Sequence, residues 1–401
     1  MPIGKLGRMR AAWRFALAFS LIAAGCRANR GSPHELTIAL AVFPGEAGHY
    51  LAFARDFETS HRVRITLVAQ SYGDILRVLR AEAGAGRGKL DIVELDLAML
   101  AQARGSVRAL DPIVGSQARA LFPSAAWDAA SSGGHIFFAP HRLMWQAMIY
   151  NRLEVPHPPA TWQELERFAR EHPGKLALKA ARYEGAVCDV MPFVWGGGGD
   201  PLEPLASGSL RGLNYLRGLA PYLNRDSAVL REMSVLEAQA RGEVWIHFNW
   251  PFAIAYLAGK GLAPGVDLSA PIPAGPDGSF TPLGGGYLAI PVSAPHPGIA
   301  AAFIGYLLTR RAQERLSREL GWYGSIEPEP ASEQALLYSG FTMMRDRVRA
   351  RPTIACYAQM SNRWQRAIRE VLFRNVASGD ALKPVAQAVN QAAGPGRCEC
   401  R

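Results

Sequence analysis

The hydrophobic positions of this chain fall into short continuous runs, each followed by a stretch with helical spacing. Residues 36–42 (Leu-Thr-Ile-Ala-Leu-Ala-Val) form the kind of run that a buried parallel strand needs, because both of its faces are covered. Phe43, Pro44, Gly45 and Glu46 supply turn residues, and amphipathic helical spacing follows over 50–58. The pattern then repeats. A strand is expected over 63–68, a helix over 74–85 broken by Gly86, Arg87 and Gly88, and a strand over 91–96, with helical spacing again from Leu97. Strands alternating with helices of this length predict an α/β sheet with right-handed crossovers.

The simple alternation stops at residue 135. Apolar runs at 136–140 and 148–150 lie close together, and Pro156, Pro158 and Pro159 stiffen the loop that follows. Thr161, with Glu164 three residues on, predicts a capping box at the start of a helix reaching Arg170. Further on, the spacing predicts a helix over 229–240, a short strand over 242–248, a glycine-led strand over 283–291 and a helix over 300–318. The C-terminal third reads as mostly helix, and no internal repeat is present.

The first 25 residues have a different character. Lys5, Arg8, Arg10 and Arg14 give a basic start without an acidic residue, and 15–24 is a short apolar run. That run is well below the ~20 residues a bilayer-spanning helix needs, so 1–25 reads as a secretory signal peptide. Ala24 and Gly25 directly precede Cys26, which resembles a bacterial lipobox. There the thiol receives lipid and becomes the new N-terminus, and residues 26–35 would be its tether. Lipoboxes usually carry Leu where Ala23 stands, and a plain signal peptide with a chance cysteine is the alternative. Both readings place the protein outside the cytoplasm, in the periplasm or at the cell surface.

The remaining 40 basic and 34 acidic side chains leave a net charge near +6, with the arginines scattered. No basic helix interleaved with aromatics appears, so nucleic acid is not an expected partner. Cys188, Cys356, Cys398 and Cys400 are too few and too irregular for a disulfide framework, and no His/Cys cluster has zinc spacing. Cys188 reads as a buried apolar residue, and Cys398 and Cys400 as part of a frayed tail. No cofactor motif, nucleophile elbow or phosphate loop is present, which argues against an enzyme.

The order of motifs resembles the extracellular solute-binding proteins of bacterial ABC importers, in the sugar-binding group that includes maltose and trehalose binders. The likeness rests on Asp91 to Asp96, on Met148-Ile149-Tyr150-Asn151-Arg152 followed by Pro159 to Leu165, and on Tyr183-Glu184-Gly185 followed by Phe193-Val194-Trp195. It continues in Asn249-Trp250-Pro251-Phe252 and in Leu283-Gly284-Gly285 with Leu288-Ala289-Ile290-Pro291. The resemblance implies an α/β, two-lobed periplasmic-binding-protein-like fold of type II whose lobes close around a ligand. It implies residues 36–139 plus 288–325 for one lobe, 140–287 plus 326–393 for the other, and a flexible tail at 394–401. The crossings between lobes are expected near residues 139–144 and 286–288. It also implies a small carbohydrate such as trehalose or maltose, a membrane permease as partner, and a monomer.

Sugars need flat aromatic faces and directional hydrogen bonds. Trp250 is the expected stacking residue and Asn249 its hydrogen-bonding neighbour. Asp96 ends a strand where ligands of open α/β sheets gather, although it also suits an N-cap for the helix from Leu97. Glu46 lies in the first strand-to-helix loop, and Trp145 and Trp195 are further aromatic candidates. The family's "GGW" tryptophan aligns with Gly286, after Gly285, so one platform is missing; Tyr287 or Trp322 is a substitute. That loss leaves a non-sugar solute such as a polyamine open, as well as a sensor without transport.

Overall fold

The computed structural model describes residues 34–42, 44–260, 267–320 and 336–392. The expected signal peptide, Cys26, Trp322, Cys398 and Cys400 lie outside the described residues.

The N-terminal alternation folds as the pattern predicts. Strand β1 (His34–Leu40) pairs in parallel with β2 (Val63–Ala69) and β3 (Ile92–Asp96). Helices α1 (Pro44–His61) and α2 (Tyr72–Ala85) form the two connections. Ser71 caps α2 by accepting from the Asp74 N–H at 3.2 Å, and Gly86, at φ 66°, ends it in the left-handed region that glycine adopts freely. Short helical segments fill 97–130.

The chain then crosses to a second sheet with no loop. Strand β4 (Ala139–Trp145) belongs to the first sheet and β5 (Ala147–Asn151) to the second, with only Gln146 between them. In the second sheet β5 is central and antiparallel to β6 (Ile246–Asn249) and β7 (Asp267–Ala270). Helices α3 (Trp162–Glu171), α4 (Glu184–Gly196), α5 (Ser207–Leu219), α6 (Glu232–Ala240) and α7 (Phe252–Gly259) surround it in sequence. Strand β8 (Thr281–Ala289) brings the chain back. It pairs antiparallel with β3 through Gly286 to Ala289 and, on its other edge, with β4 through Leu283 to Leu288. The two sheets are the cores of two lobes, joined by β4 and β8 running side by side.

After α8 (Pro297–Leu307) and α9 (Arg310–Leu320), the helix α10 (Ser339–Met344) packs on β7 and β5. The two-residue strand β9 (Val348–Arg349) pairs with the start of β8. Helices α11 (Tyr357–Arg374) and α12 (Ser378–Ala392) finish by packing on α4 and α5. Nearly all of α4 is buried, Cys188 included, which explains its unbroken apolar sequence. Burial pushes the Cys188 thiol up to about 12. Cys356 is disulfide-bonded, in a chain whose cysteine count suggested no such framework.

Boundaries differ from the pattern in several places. Glu46, expected in a strand-to-helix loop before a helix over 50–58, lies in the first turn of α1, which already begins at Pro44. The helix expected over 300–318 is two helices, because the chain turns at Leu308 and Thr309 and the Thr309 hydroxyl accepts from the Ala312 N–H at 3.3 Å. The helix expected from Val229 begins at Glu232, after a short 3-10 turn over Arg225–Ala228. The strand expected over 242–248 begins at Ile246, since Gly242 turns at φ 73°.

Candidate functional site

The carboxyl end of β3 faces the junction of the two sheets, and two carboxylates stand there on the same face of the strand, Glu94 and Asp96. Asp96 accepts from the Ala98 N–H at 2.9 Å and so caps the turn over Leu97–Met99. It also accepts from Arg351 Nη2 at 3.4 Å. The other arm of Arg351, Nη1, donates at 2.5 Å to Glu184, the first residue of α4. Tyr357 and Ser361, in the first turns of α11, donate their hydroxyls to the same Glu184 carboxylate. The Arg351 side chain is only 3% exposed, whereas Asp96 and Glu184 are 24% and 35% exposed. The carboxylates therefore reach an accessible surface with the guanidinium sealed between them. Burial raises the pKa of Asp96 above its usual value, and Arg351 opposes that rise.

Glu94, two residues earlier, is fully buried. It accepts a two-armed contact from Arg142, with Nε at 2.8 Å and Nη2 at 2.6 Å. It also accepts from the Ala41 N–H at 3.1 Å and is 2.8 Å from His141 Nδ1. Burial opposes its charge, but Arg142 and His141 outweigh burial and hold the carboxyl well below the usual range. Burial lowers His141 in turn. Arg142 spans from this buried pair toward the surface. Its Nη2 donates to the Ala41 carbonyl at 2.7 Å and the Tyr72 hydroxyl at 3.3 Å, and its Nη1 is 3.9 Å from the partly exposed Glu46.

The three glycines of β8 complete the junction. Gly284 lies under the Trp250 ring, where a Cβ would come to 2.8 Å of the indole. Gly285 sits at φ 111°, and a Cβ there would strike the Arg142 carbonyl. A Cβ on Gly286 would run into the Glu94 carboxylate. Gly286 pairs with Asp96 across the strands, so the missing tryptophan coincides with a buried charge cluster.

A third polar group lies beneath β5. Lys179 donates to Asp189 and to the Phe248 carbonyl, and Gln146 Nε2 donates to Asp189 at 3.0 Å. Thr281, at the start of β8, donates to the Gln146 carbonyl at 2.7 Å, tying the two crossing strands together. His247 is buried with neither ring nitrogen paired, and burial together with Lys179 pushes its pKa down to about 3.

Of the sequence candidates, Glu46, Asp96, Gly285 and Gly286 come together at the junction, with Trp250 against it. Trp250 is 8% exposed. Asn249 is buried and spent on backbone: its amide donates to the Glu232 carbonyl at 3.1 Å and its oxygen accepts from the Trp250 N–H at 3.0 Å. Trp145 is buried, its indole donating to the Phe341 carbonyl at 2.7 Å. Trp195 lies in the core within α4, and Tyr287 is fully buried with its hydroxyl 3.3 Å from the Ala126 carbonyl. Sequence reasoning did not single out Glu94, Arg142, Glu184 or Arg351. For Glu94 a signal existed, since a carboxylate inside an apolar strand needs a buried cation. Arg351 gave none, being one arginine among many.

Known proteins share this architecture. The sequence model of the bacterial extracellular solute-binding proteins matches residues 52–335. A probable ABC transporter-binding protein of Deinococcus radiodurans is 24% identical over 363 residues, spanning 81% of this chain and 85% of its own length. The solved cyclic α-maltosyl-1,6-maltose binding protein of Arthrobacter globiformis superimposes with a TM-score of 0.77 at 20% identity, covering 89% of this chain and 98% of its own. The GacH receptor of Streptomyces glaucescens, solved unliganded and with acarbose and an acarbose homolog, gives a TM-score of 0.74 at 20% identity, with coverage of 90% and 98%.

Proposed function

This chain belongs to the bacterial extracellular solute-binding proteins, and we propose that it is the substrate-binding component of an ABC importer that captures a small carbohydrate between its lobes. The observation that carries the reading is the set of partly exposed hydrogen-bonding groups, Glu46, Tyr72, Asp96 and Glu184, gathered at the junction of the two sheets. Carboxylates accept from sugar hydroxyls, and the arginines packed against these ones hold them in place, Arg142 beside Glu46 and Arg351 between Asp96 and Glu184. The sugar-binding relatives of the same fold, named above, add support for a di- or oligosaccharide. In this reading the protein performs no catalysis and delivers its ligand to a membrane permease. Export through the N-terminal signal and lipidation at Cys26 would hold it beside that permease and raise the local concentration.

A second reading has its own observation. Four carboxylates, Glu46, Glu94, Asp96 and Glu184, face two guanidiniums, Arg142 and Arg351, so the cluster carries excess negative charge. That balance also suits a cationic solute of the polyamine class.

One titration separates the two. The chain starting after Cys26 is titrated calorimetrically with maltose, trehalose, maltotetraose and spermidine. Saturable binding of a saccharide, weakened at least tenfold in Asp96→Asn, supports the sugar reading. Binding of spermidine alone would replace it with the second.

A further inference from the structure

We infer that Arg351 is an ionic latch between the two lobes, so that closure of the cleft has a charge component independent of the ligand. The inference treats the sheet junction as the ligand site, and so rests on the solute-binding reading. Asp96 belongs to the first sheet, at the end of β3. Glu184 opens α4 on the second lobe, and Arg351 follows β9 on the way to α11, which packs on α4 and α5. Arg351 is therefore anchored on the second lobe, by Glu184 at 2.5 Å and by its position 5.8 Å over the Tyr357 ring, and reaches across to Asp96 at 3.4 Å. The turn that Asp96 caps also packs on α11, so the contact lies where the lobes meet.

Three features make this a poised contact and not a fixed one. The buried Arg351 Nε has no hydrogen-bond partner, so the arginine is not fully satisfied in this arrangement. Asp96 gains an opposite charge but sits where burial disfavours its own charge. The Asp96 to Arg351 distance is also the longer of the two arms, whereas the Glu184 end is held by three donors. Separation of the lobes would break the link at Asp96 and leave Arg351 on the second lobe.

The test is small-angle X-ray scattering of the chain starting after Cys26, without added solute, comparing wild type, Asp96→Asn, Arg351→Met and the double variant. Asparagine retains the cap on the Ala98 N–H, and methionine retains the apolar stem, so both are chosen to fold; circular dichroism checks this. The latch predicts that each single variant shifts the profile toward a larger radius of gyration, and that the double variant adds nothing, because both remove one interaction. Unchanged radii in folded variants, or additive changes, would overturn it. If Arg351→Met does not fold, the Asp96→Asn profile alone decides. Calorimetry on the same samples keeps the two ideas apart: opened variants in a protein that binds none of these saccharides and no spermidine would sink both proposed ligand classes and leave the latch standing.

Discussion

At the scale of single residues, the junction is defined by what glycine permits. Gly286 faces Glu94 so closely that even a methyl group displaces the carboxylate from Arg142. Gly286→Ala is expected to cost about 1–3 kcal/mol, the range for overpacking a tight site, read as a lowered melting temperature. A stability equal to wild type would mean the Glu94 and Arg142 pair can shift without loss. His247 supplies a pH prediction. Its folded pKa is lowered from 6.5 to about 3, so the folded state resists protonation. The stability tied to neutral His247 is complete above pH 6.5 and is lost as pH falls toward 3, at about 1.4 kcal/mol per pH unit within that window. Urea unfolding of wild type and His247→Gln across the window should show a shallower acid loss in the variant; equal slopes would remove His247 as the cause. The sequence made Asp96 and the glycine stretch legible, because strand ends and glycine runs are local signals. Glu184 and Arg351 were not legible, because their meeting depends on a chain return of more than 160 residues.

At the scale of elements, local chemistry decided starts and stops where a cap was available. Thr161 caps α3 by accepting from the Glu164 N–H at 3.2 Å, while the Glu164 carboxylate reaches back to the Ala160 N–H at 2.8 Å, one residue earlier than a regular capping box. Thr161→Ala is expected to lower stability by about 1 kcal/mol in chemical denaturation, with the fold retained. Trp145 joins elements instead of ending one. Its indole N–H bonds the Phe341 carbonyl and so ties β4 to α10. Trp145→Phe keeps an aromatic side chain, gives up the second ring and leaves that buried carbonyl without its donor, an expected loss of at least about 1–3 kcal/mol. A variant as stable as wild type would show that another donor takes over. The same tie explains why Trp145 looked like a cleft aromatic from sequence: adjacency to a crossing strand does not say which face the side chain takes.

At the scale of the whole molecule, the alternation of strands and helices made the first sheet readable from β1 to β3. The second sheet was harder, because β5, β6 and β7 are short, antiparallel and scattered through 147–270. The resemblance, not the periodicity, anticipated two lobes; β4 and β8 lie side by side in the first sheet, and β4 leads through Gln146 into β5 of the second. What the whole molecule adds is a junction built from carboxylates backed by buried arginines, in a family whose members bind solutes outside the cytoplasm. The central claim is capture of a small saccharide at that junction. Its most direct test is the melting temperature of the chain starting after Cys26, measured against rising concentrations of maltose, trehalose and maltotetraose. A solute that binds only the folded state raises the midpoint by mass action, about 2.7 kcal/mol of stabilisation at a hundredfold excess over Kd. The account predicts a saturable rise with at least one saccharide, diminished in Asp96→Asn. A midpoint that stays flat with every saccharide while spermidine raises it would contradict the sugar assignment.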